Sequence, residues 1–175
     1  MNVKEVIKIR RSIRKFKNIE ITDDIIGEII EAGRLAPSGC NAQPSRYLII
    51  KDKESKEKLK ENNIFAQDFV YQAPVIIICC TDLSVYKKST DFDDTNKVRA
   101  IRDLSIASSY LDLRAVELGL GTCYIGDIDK VRVKEVLEIS KDYIVLFALI
   151  FGYPDESPQA RPRHDINEIL IKYVL

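Results

Sequence analysis

The chain has 175 residues, is 46% hydrophobic and 31% charged, and carries 27 basic (Lys, Arg) and 27 acidic (Asp, Glu) residues. This composition excludes a disordered chain and fits a single domain over residues 1–175, while zero net charge gives no general attraction to nucleic acid or an anionic membrane. There is no long apolar run and no apolar leader, and four cysteines without C-x-x-C spacing beside one histidine make no zinc pattern. The expectation is therefore a cytoplasmic protein in a reduced compartment, with no metal, membrane or nucleic-acid partner.

Val3, Val6, Ile7 and Ile9 predict a short amphipathic helix that delivers the basic segment Arg10 to Arg14 at its C-terminal end, where the helix dipole favours cations. Thr22 predicts an N-cap with Asp23 and Asp24 in the first turn. Ile25, Ile26, Ile29, Ile30 and Leu35 form the buried stripe of this second helix, and Pro37 ends it. Tyr47 to Ile50 and Val75 to Cys80 read as strands on either side of a charged helix, Asp52 to Asn62, and a further helix, Ile64 to Gln72. After a polar stretch from Ser84 to Asn96, the residues Val98, Ile101, Leu104, Ser105, Ser108, Leu111, Ala115 and Leu118 mark a long helix closed by Gly119. Cys123 to Ile125 and Ile144 to Phe151 read as strands with a helix near Val131 to Ile139 between them. Strands interspersed with helices imply a mixed sheet wrapped by helices.

Two stretches carry chemistry. Arg10-Arg11-Ser12-Ile13-Arg14-Lys15-Phe16 places three guanidinium groups and a hydroxyl within five residues, a donor set suited to oxyanions. Pro37-Ser38-Gly39-Cys40-Asn41-Ala42-Gln43-Pro44 is an amide-rich loop stiffened by its prolines and opened to close backbone approach by Gly39. Each has an ordinary use when taken alone: a solvated helix terminus for the first, a helix-to-strand turn for the second.

Together, in this order, they resemble the FMN-dependent nitroreductase family, with its R-x-S-x-R-x-F and P-S-x-x-N-x-Q-P segments. The likeness continues through Gly119-Leu120-Gly121-Thr122-Cys123-Tyr124-Ile125-Gly126 and Arg161-Pro162-Arg163. The resemblance implies an α+β nitroreductase-like fold and an intertwined homodimer with FMN at its interface. It implies that Arg10, Ser12, Arg161 and Arg163 hold the phosphate and ribityl chain, that Arg14 sits near N1 and O2 of the isoalloxazine and tunes it, and that Arg11 is a further cofactor residue. It also implies that Pro37, Ser38 and Asn41 meet a flavin bound mainly by the partner, while Tyr124, Ile125 and Gly126 lie against one flavin face. Ser45 and Tyr124 stand where the family often has Trp, and Ser84 to Asn96 is a short substitute for the family's helical lid.

The function so implied is reduction of nitroaromatic, quinone or related small-molecule acceptors by a ping-pong mechanism with NADH or NADPH as donor. The flavin carries the chemistry, and no catalytic side chain is nominated. The alternatives are a specialised relative, such as a reductive dehalogenase or an azoline-type dehydrogenase, and a non-catalytic flavin-binding or sensing module. Cys79-Cys80 reads as inert strand filling, His164 as a surface or capping residue, and Asp91, Asp93 and Asp94 as a solvated loop lacking the Gly and Glu of a calcium site.

Overall fold

The computed structural model describes residues 1–86 and 96–172. Asp91, Asp93, Asp94 and most of the stretch from Ser84 to Asn96 therefore lie outside the described residues. Helix α1 spans Val3–Ile9, opened by a capping box between Asn2 and Glu5. Helix α2 spans Asp23–Arg34 with Thr22 as N-cap; Leu35 is its C-cap and is 65% exposed, outside the stripe expected of it. Strand β1 (Ser45–Ile50), helix α3 (Lys53–Glu61), strand β2 (Val75–Asp82) and helix α4 (Asn96–Glu117) follow. Strand β3 (Gly121–Ile125), helix α5 (Arg132–Val136), strand β4 (Tyr143–Gly152) and helix α6 (Ile166–Ile169) complete the order. Among the described residues, no helix is long and apolar enough to cross a membrane.

The strands lie in the order β1-β2-β4-β3 and every neighbouring pair is antiparallel. This corrects the expected mixed sheet, whose parallel pairing is confined to the single bridge between Ser12 and Thr122. The reason is topological. The crossover through α4 does join two strands that run the same way, β2 and β3, but β4 takes the place between them and pairs antiparallel with both.

Alternation along the strands builds a core on each face. Ile76, Ile78, Cys80, Cys123, Ile125 and Ile150 pack with Leu59 of α3 and Val133 of α5. Val75, Ile77, Cys79, Leu149 and Phe151 pack on the opposite face with Ile26 and Ile29 of α2 and Leu104, Leu111 and Ala115 of α4. A register shift at Cys79/Cys80 lets both Val145 and Ala148 of β4 face the first of these cores despite their odd spacing.

The expected helix from Ile64 to Gln72 is instead a turn with a short 3-10 piece, Asp68–Val70. The Tyr71 hydroxyl accepts from Phe65 N (2.8 Å) and donates to Phe65 O (2.9 Å), so one phenol takes the carbonyl that a helix would have paired and satisfies the N–H that a helix would have left open. Phe65 also bridges to Ile128.

Helix α4 ends as its sequence indicates. Gly119 adopts φ +84°, Gly119 N donates to Val116 O and Leu120 N to Ala115 O, the paired bonds of a glycine-terminated helix. The chain then enters β3, where a Cβ at Gly121 would lie 2.6 Å from Ile13 Cγ1. Only glycine lets the basic segment lie flat along β3 at this point, with Ile13 N donating to Thr122 O at 2.7 Å.

Candidate anion and cofactor site

Arg10 is the C-cap of α1, with its N–H on Val6 O. From there the chain runs alongside β3 and then against the segment after β4, where Lys17 N donates to Tyr153 O and Asp155 N to Lys15 O. The Glu156 carboxylate accepts from the backbone N–H groups of both Arg14 and Lys15. These bonds fold the tail back over the basic segment. The result is a cavity of about 540 Å³ lined by Arg10, Arg11, Ser12, Arg14, Arg161 and Arg163, with Pro158 among its other walls. Residues about 150 positions apart thus put five guanidinium groups and a hydroxyl around one space. Cations gathered in this way repel one another, and an anion bound among them relieves that repulsion.

The individual arginines differ. The Arg11 guanidinium donates to Lys8 O (2.8 Å) and Arg10 O (2.7 Å), capping carbonyls at the end of α1. Arg14 donates to Ser12 O at 3.4 Å and its Cζ lies 5.9 Å from the Phe69 ring centroid. Arg161 and Arg163 are exposed.

Behind the arginines is a buried wall. Asp112 of α4, 5% exposed, accepts from the Thr122 hydroxyl, and its Oδ2 is 3.9 Å from Arg10 Nε. Burial pushes the Asp112 carboxyl above the usual carboxylate range, against the opposing pull of Thr122 and Arg10. Burial likewise raises the Cys123 thiol despite Arg14 nearby, so it is protonated at neutral pH. On β3, Tyr124 is 38% exposed and its ring packs 5.5 Å from that of Phe147. Ile125 points into the core, so only its backbone is available to a ligand, and Gly126 is exposed.

The loop from Pro37 to Pro44 is built differently. Cys40 and Asn41 both have φ of 54°, a left-handed conformation that asparagine tolerates better than most residues, and the Ser38 hydroxyl accepts from Gln43 N at 2.9 Å. Asp103 of α4, 2% exposed, accepts from Gly39 N (2.9 Å) and the Tyr86 hydroxyl (2.6 Å), with Arg102 Nε at 3.5 Å. One buried carboxylate thereby fixes the loop to the long helix.

Pro37 and Ser38 line a second cavity, about 240 Å³, with Tyr47 and Asp103. The two cavities share no lining residue, so within one chain the structure brings the arginines together and leaves the proline-rich loop apart from them. The phenol of Tyr47 is pushed up to about 12 by burial, against the opposing pull of Ser45 and Ser108.

Asp103 and Asp112 lie outside the apolar periodicity that marks α4 in the sequence. Both are buried, whereas Ser105, among the residues that mark the helix in the sequence, is exposed. An acid at a core position of an amphipathic helix was the signal available. Elsewhere, burial pushes Cys79 up to about 12 and Cys80 up to about 11, and neither is a nucleophile at neutral pH. His164 Nδ1 lies 3.1 Å from Glu168, beside the Asp165 N-cap of α6.

The model of the Nitroreductase family matches residues 7–64 and 61–153. An NADPH-flavin oxidoreductase of Vibrio harveyi is 32% identical over 171 residues, 93% of this chain and 70% of the relative. An FMN reductase [NAD(P)H] of Bacillus subtilis is 31% identical over 174 residues, 91% of this chain and 70% of the relative. A Desulfovibrio desulfuricans structure solved in complex with FMN superposes with a TM-score of 0.87 at 26% identity, covering 100% of this chain and 98% of that one.

Proposed function

The chain belongs to the Nitroreductase family, and from that premise we propose that the arginine-lined cavity holds the phosphate of FMN in an enzyme that passes electrons from NADH or NADPH to nitroaromatic, quinone or related acceptors. It is an FMN-dependent NAD(P)H oxidoreductase. The observation that carries the assignment of the site is the convergence of Arg10, Ser12, Arg14, Arg161 and Arg163 on one cavity.

These residues fit the cofactor. A terminal phosphate monoester needs several charge-assisted donors, and guanidinium groups supply them in pairs. Arg10, Ser12, Arg161 and Arg163 would hold the phosphate and ribityl chain, and Arg14 would face the N1–O2 edge of the ring. Arg11, tied to carbonyls of α1, would contribute charge at the rim. Bound FMN would supply the two-electron chemistry. The chain's own part is to hold the phosphate, orient the ring against Tyr124, Ile125 and Gly126, and limit access. A fixed cation at Arg14 favours negative charge arising beside it. No side chain is needed as acid, base or nucleophile, which agrees with the protonated state of Cys123. The separation of the two cavities in one chain supports a homodimer in which Pro37, Ser38 and Asn41 complete the partner's pocket.

Steady-state kinetics test the assignment. With FMN bound, NADH or NADPH oxidation should depend on an added quinone or nitroaromatic, and double-reciprocal plots at several acceptor concentrations should be parallel, as a ping-pong sequence requires. Flavin binding without turnover would identify a sensing module instead. Intersecting lines would exclude the ping-pong order.

A further inference from the structure

Asp112 is a costly residue for its position. It sits on α4 beside Leu111 and in line with Ala115 and Ser108, all buried, where an apolar side chain would serve packing better. Its two oxygens nevertheless have distinct neighbours. Oδ1 accepts from the hydroxyl of Thr122, and Oδ2 faces Arg10 Nε at 3.9 Å. Thr122 is itself the residue to which the basic segment is tied, through the bridge to Ser12 and the bond from Ile13 N. One carboxylate therefore contacts both the basic segment, through Arg10, and the strand it lies along, through Thr122.

We propose that Asp112 is a positioning residue for the phosphate site: it fixes the Arg10 guanidinium by its Nε edge, leaving both Nη groups for the anion, and holds β3 in register with residues 10–14. The proposal rests on the reading that the cavity takes FMN. The guanidinium has donors on separate edges, so a carboxylate on one does not block an oxyanion on another. A purely Coulombic view gives the opposite sign, because a negative charge behind Arg10 would repel a phosphate. The two views make opposite predictions for Asp112→Asn, which keeps the shape and an acceptor for Thr122 while removing the charge.

The test is fluorescence titration of flavin-free protein with FMN and with riboflavin, which lacks the phosphate. It is run on wild type, Asp112→Asn, Arg10→Met and the double variant. Asp112→Asn should weaken FMN binding about tenfold, the loss of roughly one charge-assisted contact, and leave riboflavin binding unchanged. In the Arg10→Met background it should have no further effect. Equal weakening of both ligands would assign Asp112 to the fold alone. Tighter FMN binding, or additive losses, would also overturn the proposal. A second readout needs neither flavin nor a variant at Asp112. In flavin-free wild type the Arg10 Nε resonance, assigned by its loss in Arg10→Met, should report an ordered side chain in 15N relaxation, as the ion pair with Asp112 requires. A freely reorienting guanidinium there would overturn the positioning role even if FMN binds. An ordered guanidinium together with no FMN binding would instead refute the cofactor assignment and, with it, the role proposed for Asp112.

Discussion

Replacing Ser12 and Arg163 by alanine together should lower FMN affinity about a hundredfold and leave the protein folded. The loss follows from removing one charge-assisted phosphate contact and one hydroxyl contact, about 2.7 kcal/mol in sum. Both residues line the same cavity, one from the segment after α1 and one from the tail beyond β4. Arg163 is exposed and its guanidinium contacts only its neighbour's carbonyl, Pro162 O at 3.5 Å, among the bonds the structure records. Ser12 is half-buried, and its backbone bridge to Thr122 of β3 survives truncation of the hydroxyl. Neither truncation opens the core, so the thermal midpoint should stay near that of wild type. Titration with FMN and a melting curve together check this. Unchanged affinity in a folded variant would return both residues to the protein surface.

Complementation between two inactive variants is the second large effect expected. One variant carries Pro37→Ala and Asn41→Gly, the glycine chosen because Asn41 holds φ of 54° and alanine would be strained there. The other carries Ser12→Ala and Arg163→Ala. Each homodimer has two damaged pockets. If the proline-rich loop serves the partner's flavin, the heterodimer concentrates all the lesions in one pocket and leaves the other intact. Activity per heterodimer should then approach half that of the wild-type dimer after subunit exchange. The separation of the two cavities within one chain is the structural reason to expect this. No recovery despite demonstrated exchange, or full activity in a monomer, would place the whole site within one chain.

Much of the architecture was legible because local chemistry and tertiary structure agree. Thr22 caps α2, Gly119 closes α4 in a left-handed turn, and the apolar run Tyr143–Gly152 is an interior strand. What escaped depended on contacts distant in sequence or between competing partners. Helical periodicity from Ile64 to Gln72 lost to a single phenol, Tyr71, that satisfies the backbone of Phe65. Strand pairing is not legible because a connecting helix does not say which later strand will insert between the two strands it joins, and β4 does so here. In the candidate site, the arginines and the proline-rich loop could be named from their order. The acids Asp112 and Asp103 stand out at core positions of α4, but their partners, Arg10 with Thr122 and the loop at Gly39, appear only once α4 is packed against β3 and against the loop. Glu156, which ties the tail to the basic segment, belongs to the same class.

The most direct test of the account is competitive binding of FMN and FAD to the flavin-free protein. FMN ends in the monoester that the arginine cavity is proposed to enclose, whereas FAD carries an adenylate beyond that point, which would have to displace the folded-back tail of residues 156–163. The expected result is FMN bound at least about tenfold more tightly than FAD, a difference of about 1.4 kcal/mol. Equal affinity for the two, or no flavin bound at all, would contradict the assignment of this cavity.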